Sequence, residues 1–410
     1  MTTVSVCYTN FGPYHLARLR ALAARLGRSG GRLLAVEVAG QERRYPWSRV
    51  SGSETFEWVT LFPGRAMEAI APADCVRAMR RFLDRERPDA LGIVGYSRPE
   101  SMAALKWALR RDRPSILLSE SQEIDHPRVW WKEAVKRRRV ARFSSALVGG
   151  PRHRDYLVKL GMSPARIALG NNAVDHDAFA RRADAARRSP ESRAGLPHRP
   201  YFLATNRFVP EKNLIRLVEA FARYRADASG DQTWDLVLCG DGPASGEVDR
   251  TIREVGLPGA IHRPGFLQED AMAPWLAHAS AFVHPSLMEP WGLVVNEAAA
   301  CGLPLLVSDR AGCVETMVPE PSGTTGRRFD PRDEQELSAA LAWMSGLPET
   351  ERAAMGRRAA EVAASWGPER FADGAVEALG LAGLLGVSET APRAYNSMPE
   401  PVAACRGARS

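Results

Sequence analysis

The chain of 410 residues has no long hydrophobic run, because its most apolar stretches, around residues 298–307 and 33–39, are short or interrupted. A helix that crosses a membrane needs about 20 mostly apolar residues, so the sequence predicts no transmembrane segment. The first ten residues, MTTVSVCYTN, lack the basic stretch and apolar core of a secretion signal. We therefore expect a cytoplasmic protein.

Cysteine pairs and clusters of metal-ligating residues are missing as well. The six cysteines are scattered, with no CxxC motif and no paired spacing, and most lie in apolar surroundings. A free thiol in such surroundings packs as a small hydrophobic side chain. The sequence therefore predicts no disulfide framework and no structural metal, and it fits a reducing compartment.

Charge is distributed unevenly along the chain, whose formal net charge is +7. Residues 1–200 hold 36 Lys and Arg against 20 Asp and Glu, whereas residues 201–410 hold 19 against 28. This contrast, in a chain too long for one core, predicts two domains with different partners. The basic half could meet nucleic acid, an anionic membrane surface or a phosphorylated acceptor, or it could carry solvated helix faces only. The basic run 136–139, which follows Trp130 and Trp131, could contact the inner face of a membrane or form a solvated helix face.

Short apolar runs alternate with amphipathic ones in both halves, which predicts an α/β fold with parallel, doubly wound sheets. The predicted strands are Val4–Tyr8, Leu33–Val38, Ala90–Val94, Ser115–Leu118, Ala146–Val148, Tyr201–Ala204, Trp234–Leu238, Ala260–His262, Ala281–His284 and Leu303–Val307. A charged, apolar-poor stretch separates the halves and is typical of a linker. We therefore predict a first domain at 1–180, a linker at 181–199, a second domain at 200–367, a final helix at 368–386 and a disordered tail at 387–410.

The strongest functional signal is SLMEPWGLVVNEAAACGLP at residues 286–304. Glu289 follows a predicted strand, at the sheet edge where open α/β folds bind ligands. Glu297 comes eight residues later, roughly 12 Å along a helix axis. Between them, the N–H groups of Gly292 and Leu293 at a helix start suit a diphosphate, while each carboxylate suits sugar hydroxyls. The alternative is a helix with two solvent-facing glutamates.

Two cations provide a second signal, because Arg207 and Lys212 flank a predicted helix start. Cations repel the positive end of a helix dipole unless an anion binds there; otherwise they are solvated surface charges. Gly240 and Gly242 follow the next strand and would let the backbone approach a flat ligand. Phe266 could flank a base or pack in the core.

Four motifs stand in the order and spacing of glycosyltransferase family 4: Arg207 with EKN at 211–213, CGDGP at 239–243, PGF at 264–266 and E-x7-E at 289–297. Residues 200–370 resemble that family of retaining, metal-independent enzymes, whose GT-B fold has two Rossmann-like domains around a central cleft. The resemblance implies that the final helix crosses back to the first domain. It also implies a role for each motif residue: Arg207 and Lys212 neutralise the diphosphate, Glu289 with the backbone of Pro290, Trp291, Gly292 and Leu293 holds donor-sugar hydroxyls, Glu297 binds ribose and Phe266 faces the base.

The first half departs from the family pattern, because Glu120 stands where relatives often carry a histidine. His126 could compensate for it, or Glu120 could contact the transferred sugar. A retaining displacement can use the departing phosphate oxygen as its base, so neither residue is required as a catalytic base. Gly12, in the first strand-to-helix loop, could let the backbone approach the donor phosphates, and His15 and Tyr96 are candidate acceptor contacts; His15 could instead cap or pack its helix.

These signals predict a retaining glycosyltransferase that moves a hexose-type sugar from a nucleotide donor, UDP-linked as in most relatives, without a further cofactor. Its acceptor would be a glycan, a lipid-linked saccharide or a small molecule. Two alternatives stay open: a GT-B nucleotide-sugar epimerase, and a non-catalytic protein that binds nucleotide sugars or nucleic acid. No nucleic acid is expected as partner, since the sequence lacks an aromatic and basic single-strand platform.

Overall fold

The computed structural model describes residues 1–42, 54–227 and 233–384. The predicted tail at 387–410 lies outside these residues. Within them, no helix is long and apolar enough to cross a membrane. The described chain forms two parallel sheets, one of seven strands in the first half and one of six in the second.

The first sheet has the strand order β3-β2-β1-β4-β5-β6-β7. Its strands are β1 (Thr3–Tyr8), β2 (Arg32–Gln41), β3 (Glu57–Ala66), β4 (Ala90–Val94), β5 (Ser115–Ser119), β6 (Ser145–Val148) and β7 (Ile167–Leu169). Its helices are α1 (Pro13–Gly27), α2 (Pro72–Glu86), α3 (Pro99–Arg110), α4 (Trp130–Val140) and α5 (Pro151–Lys159). The inner strands β1, β5 and β6 are buried on both faces, which explains their continuous apolar sequence.

The second sheet repeats this pattern with the order β10-β9-β8-β11-β12-β13. Its strands are β8 (Tyr201–Thr205), β9 (Asp235–Cys239), β10 (Ile261–Gly265), β11 (Ala281–His284), β12 (Leu305–Ser308) and β13 (Gly326–Phe329). The helices of this half are α6 (His176–Arg188), α7 (Leu214–Asp227), α8 (Ser245–Glu254), α9 (Glu269–His278), α10 (Leu293–Ala300), α11 (Val314–Met317), α12 (Glu334–Gly346) and α13 (Glu349–Ala364). The expectation of two doubly wound, Rossmann-like domains is confirmed.

The last described helix, α14 (Pro368–Leu381), returns to the first domain. Phe371 and Leu379 are buried in the same cluster as the apolar face of α1. The Ser145 hydroxyl on β6 donates to the carbonyl of Ala378 at 2.7 Å. This helix therefore ties the end of the second domain to the first sheet.

The stretch predicted as a linker, 181–199, differs from that expectation over its first part. Residues up to Arg188 belong to α6, and a short 3-10 helix follows at Pro190–Arg193. Phe179 and Ala183 on α6 are buried in the core of the second domain, on the side of the sheet that α9 also covers. One aromatic residue and a few alanines at helical spacing give α6 an apolar face that packs on the core, although the stretch as a whole is charged.

Three strands were not predicted, namely β3, β7 and β13, and each is an edge strand of its sheet. An edge strand buries less surface than a central one and tolerates charge, proline and glycine. Strand β3 contains Pro63 and Gly64, and β13 contains Arg327 and Arg328. Apolar runs therefore revealed the inner strands and missed these edges.

Candidate active site

Strand β11 and helix α10 place Glu289 at the carboxyl edge of the second sheet. Gly292 precedes α10 with a φ of 103°, a left-handed conformation that side chains disfavour. A Cβ atom on Gly292 would lie 3.3 Å from Cγ of Glu289 and 3.5 Å from Nε2 of His284. The glycine therefore lets the turn close against both side chains, and it leaves the first N–H groups of α10 facing the same edge.

Three side chains form a polar cluster at this turn: Lys212, His284 and Glu289. The Lys212 ammonium pairs with Oε2 of Glu289, and Nε2 of His284 lies 2.9 Å from the same oxygen. The Ser286 hydroxyl lies 3.1 Å from that histidine nitrogen. Among the residues that the structure describes, Oε1 of Glu289 has no hydrogen-bond partner. One carboxylate oxygen is thus held by the protein, and the other can accept from a ligand.

Neighbouring charge decides the ionisation of Glu289. Burial raises the pKa of this carboxyl, but the Lys212 ammonium and His284 outweigh burial and lower it to about 2. Burial lowers the pKa of His284, so its imidazole is neutral and Nε2 donates to the carboxylate. Glu289 is therefore a carboxylate throughout the physiological pH range. His284 was not predicted as a site residue, since it reads as the last residue of a buried strand.

The loop that carries Lys212 is fastened to the Glu289 loop. Asn213 takes a left-handed conformation with a φ of 57°, and its side-chain amide donates to the carbonyl of Pro285 at 3.2 Å. The N–H of Leu287 donates to the carbonyl of Glu211 at 2.8 Å. Arg207 lies half-buried in the same loop, after β8. Both predicted cations therefore lie in the loop that is tied to Glu289.

The glycines after β9 lie where two loops pack closely, and their donor-binding role stays a prediction. A Cβ atom on Gly240 would lie 1.8 Å from the carbonyl oxygen of Asn206, and one on Gly242 would lie 2.5 Å from that of Phe208. These glycines let two loops pack on each other. Phe266, after β10, is 50% exposed, which excludes the core position considered as its alternative.

The side chain of Trp291 is buried between the domains. It is 2% exposed and donates from Nε1 to Asn296 at 2.9 Å. Its ring packs against Gly149 and Gly150 of the first domain, where added Cβ atoms would lie 2.8 Å and 3.1 Å from the indole. Only the backbone of Trp291 could contact a ligand.

Pro290 is held from the first domain. The N–H of Gly150 donates to Nδ1 of His153, so Nε2 carries the proton and donates to the carbonyl of Pro290 at 2.7 Å. Burial lowers the pKa of His153 to about 4, which keeps the ring neutral. His153 therefore fixes the Glu289 loop from the opposite domain, although no pattern in the sequence indicated it.

Glu297 lies one turn into α10 and is 7% exposed. Its Oε1 accepts a hydrogen bond from the hydroxyl of Tyr14, on α1 of the first domain. Burial raises the pKa of Glu297 to about 7, and the nearby carboxylate of Glu269 acts in the same direction. Glu289 precedes α10, so the eight residues that separate the two glutamates do not form the predicted helical run of roughly 12 Å. The two glutamates have different electrostatic surroundings.

The segment after β5 contacts the Glu289 loop through Gln122. Its side-chain amide donates to the carbonyl of Glu289 at 2.8 Å and to that of Arg310 at 3.0 Å. Glu120 is exposed and accepts from the Asn172 amide at 2.8 Å, and His126 is exposed. For neither of them does the described structure record a hydrogen bond to the second domain, and their roles stay predictions. Gln122, which was not predicted, makes the contact instead.

Gly12 and His15 bond to each other at the start of α1, and the approach of the Gly12 backbone to donor phosphates stays a prediction. The Gly12 N–H donates to Nδ1 of His15 at 3.0 Å and caps α1. Burial lowers the pKa of His15 to about 3, and its ring lies 4.5 Å from that of Tyr8. The capping alternative for His15 is therefore the observed one. Tyr96 is 6% exposed, and its main-chain carbonyl accepts a hydrogen bond from Arg139. Its contact with the sugar-accepting substrate stays a prediction, and its side chain has little exposed surface for it.

The basic run on α4 is largely used within the first domain. Lys136 donates to Glu133 at 2.8 Å, and Arg137 and Arg139 donate to main-chain carbonyls at 3.3 Å and 3.1 Å. The indoles before the run remain open, with Trp130 83% exposed. Contact with an anionic membrane stays a prediction. The exposed tryptophans are better placed for such a contact than the basic side chains, most of which bond within the first domain.

Comparison with known proteins finds a family match within the second half of the chain. Residues 188–362 match the family model of glycosyl transferases group 1. MMP alpha-(1->4)-mannosyltransferase of Mycolicibacterium hassiacum is 28% identical over 250 residues, which cover 58% of this chain and 57% of that protein. Sulfoquinovosyl transferase SQD2 of Arabidopsis thaliana is 31% identical over 211 residues, which cover 50% of this chain and 38% of that protein. The chain thus spans about half the length of the curated relatives that it matches.

Solved structures resemble the chain over nearly its whole length. Sucrose-phosphate synthase from Thermosynechococcus elongatus gives a TM-score of 0.69 at 18% identity, covering 91% of this chain and 96% of that one. Anabaena HepE in complex with UDP and glucose gives 0.67 at 16% identity, covering 93% of this chain and 100% of that one. At such identities the likeness shows the fold, and it confirms the expected GT-B architecture of two Rossmann-like domains.

Proposed function

We propose that this protein is a retaining glycosyltransferase that moves a hexose-type sugar from a nucleoside diphosphate donor to an acceptor. The observation that carries the proposal is the cluster of Lys212, His284 and Glu289 beside the start of α10. It presents a charged carboxylate with one open oxygen next to a cation and a helix N-terminus. A sugar diphosphate needs hydroxyl acceptors and phosphate donors side by side, and the cluster supplies both.

Each residue has a role in this proposal. Oε1 of Glu289 accepts from a hydroxyl of the donor sugar, while His284 and Lys212 hold Oε2. The diphosphate lies at the first N–H groups of α10, between Arg207 and Lys212. As the sugar–phosphate bond breaks, negative charge builds up on the leaving group, and these fixed cations and the helix dipole stabilise it without a metal ion. Glu297 accepts from ribose hydroxyls.

The chemistry places no demand on a protein base. In a retaining displacement on one face of the sugar, the departing phosphate oxygen takes the proton of the acceptor hydroxyl as the new bond forms. Glu120 and His126 are exposed and are not needed for that step. Their region of the first domain would then contact the acceptor, which we take to be a glycan, a lipid-linked saccharide or a small molecule.

UDP is the first donor nucleotide to test. Two of the solved relatives with this fold are HepE in complex with UDP and HepE in complex with UDP-glucose. The epimerase alternative is less favoured, since the named relatives are transferases. A non-catalytic protein that binds nucleotide sugars could use the same cluster, so the screen for turnover is needed to separate the two.

A mass-spectrometric screen of UDP-, GDP- and ADP-sugars, with and without candidate acceptors, tests the proposal. A glycosylated acceptor together with free nucleoside diphosphate is the expected result. A donor that isomerises without acceptor would establish the epimerase instead. Binding of donors with no turnover under any condition would establish the non-catalytic alternative.

A further inference from the structure

The contact between Tyr14 and Glu297 joins residues 283 positions apart in the chain and belonging to different domains. Tyr14 lies in the first turn of α1 and packs against an apolar cluster of the second domain, against which Leu267 and Leu293 also pack. The hydroxyl then reaches Oε1 of Glu297. The tyrosine therefore extends from the first domain into the part of the second where the donor nucleotide is proposed to lie.

The carboxylate of Glu297 is half satisfied by this contact. Oε1 accepts from Tyr14, whereas Oε2 has no hydrogen-bond partner among the described residues. A tyrosine hydroxyl that donates its proton keeps lone pairs that can accept another. The pair thus offers two acceptor atoms side by side, Oε2 of Glu297 and the phenolic oxygen of Tyr14.

Two adjacent acceptors match the chemistry of a vicinal diol, which has two hydroxyl donors on neighbouring carbons. Ribose in a nucleotide carries such a diol at its 2′ and 3′ positions. Burial raises the pKa of the Tyr14 phenol well above its usual value, and the carboxylate of Glu297 adds to that effect. The phenol therefore keeps its proton and can donate it to Glu297.

We propose that Tyr14 is a specificity-determining residue of the donor site, which reads the ribose diol together with Glu297 from the opposite domain. This inference rests on the proposed function, since it requires a nucleotide donor. One hydroxyl of the diol would then donate to Tyr14 of the first domain and the other to Glu297 of the second. Selection of ribose over deoxyribose then depends on both domains being closed around the donor.

The test removes the hydroxyl and keeps the ring, in a Tyr14→Phe variant. Calorimetric titration of the parent protein and the variant uses UDP, 2′-deoxyuridine diphosphate and 3′-deoxyuridine diphosphate, with GDP and ADP as alternative bases. The variant should bind the ribonucleotide about 5- to 10-fold more weakly, as expected for one lost hydrogen bond. Its discrimination against at least one deoxy analogue should fall at least threefold, which a merely structural effect would not produce.

Tyr8→Phe is the matched control, because its hydroxyl is buried without a hydrogen-bond partner in the described structure. It should leave UDP affinity within twofold of the parent value, and thermal melting should show both variants folded. A Tyr14→Phe protein that binds UDP equally well or more tightly would overturn the proposal, because Tyr14 would then only occupy Glu297 until the donor displaces it. Binding of UDP without discrimination in the parent protein would overturn the ribose role alone. Failure to bind any nucleoside diphosphate would contradict this inference and the proposed function together.

Discussion

The two glutamates of the site have the same side chain, similar burial and opposite ionisation behaviour. Glu289 is 8% exposed and Glu297 is 7% exposed, so desolvation acts on both. Lys212 and His284 lower the pKa of Glu289 to about 2. At Glu297 only the hydrogen bond from the Tyr14 hydroxyl opposes the effect of burial, and the pKa is about 7. Burial alone therefore does not set the charge of an active-site carboxylate; its partners do.

This contrast has a functional meaning in the proposed mechanism. The glutamate next to the reacting sugar is permanently ionised and held by a cation, where negative charge moves during transfer. Glu297, one turn into α10, has a pKa near neutral pH and is proposed to bind ribose, whose charge does not change during transfer. The predictions below separate these two environments by chemistry, ligand and pH.

The largest effect is expected from Lys212→Ala, which removes the cation from Glu289 and from the proposed diphosphate. Loss of one preorganised charge at a developing anion costs roughly 2–4 kcal/mol of barrier, or about 30- to 1,000-fold in turnover. Steady-state kinetics with the donor identified in the screen measure the loss. Lys106→Ala, an exposed lysine on α3, is the control and should keep parental turnover. A kcat within threefold of the parent value in Lys212→Ala would contradict the proposed role.

A pair of alanine variants tests the division between sugar and ribose. Glu297→Ala should weaken free nucleoside diphosphate and complete donor by similar factors, since both carry ribose. A lost charged acceptor costs about 1.5–3 kcal/mol, or roughly 10- to 150-fold in affinity. Glu289→Ala should leave nucleoside diphosphate affinity nearly unchanged and lower kcat or donor affinity.

Calorimetry of both variants with both ligands provides the comparison, and each variant serves as the control for the other. Equal loss of nucleoside diphosphate binding in the two variants would show that the roles of Glu289 and Glu297 are not divided as proposed, even if the enzyme class is right.

The fold was largely predictable because its inner strands are continuous apolar runs. Strands β1, β5, β8 and β11 are buried on both faces, and the alternation with helices fixed their parallel arrangement. The edge strands β3 and β13 were missed because a strand with one neighbour need not be apolar throughout, and β7 was missed because it has only three residues. Helix α6 was also missed, because its buried face is too narrow to stand out from its charged surface.

Site residues that belong to a local sequence motif could be predicted, whereas those that depend on tertiary contacts could not. Glu289, Glu297 and Lys212 were found from spacing relative to helix starts. His284, Gln122 and Tyr14 were not, because the first reads as core and the other two act across a domain boundary that no local pattern encodes. The burial of the Trp291 side chain was not predicted for the same reason, since its neighbours Gly149 and Gly150 come from the other domain.

A smaller effect is expected from pH. The pKa of Glu297 is raised, so its ionised, fully accepting form is present above about pH 7 and is lost as the pH falls through that value. The charged and titratable groups around it are Tyr14 on α1, Glu269 on α9 and Cys301 directly after α10. Nucleoside diphosphate affinity should therefore fall by at most about 30-fold between pH 8 and pH 5.5.

Glu289, with a pKa of about 2, contributes nothing to this change. Titration of the Glu297→Gln variant over the same range separates the residue from the ligand, because the variant retains only the ionisation of the phosphates. A parent protein whose pH dependence equals that of Glu297→Gln would show that Glu297 does not titrate in this window.

The smallest effect, none at all, is expected when divalent cations are removed. If Lys212 and Arg207 neutralise the leaving group, the carboxylates of Glu289 and Glu297 have no metal to hold, and the contrast between them comes from protein groups alone. Turnover in excess EDTA should then match turnover with added Mg²⁺. A loss of more than tenfold in EDTA would instead mean that a cation bridges the diphosphate and one of the glutamates. The low pKa of Glu289 would make that residue the first ligand to consider, because a hard cation prefers an ionised carboxylate over one that is half protonated at neutral pH.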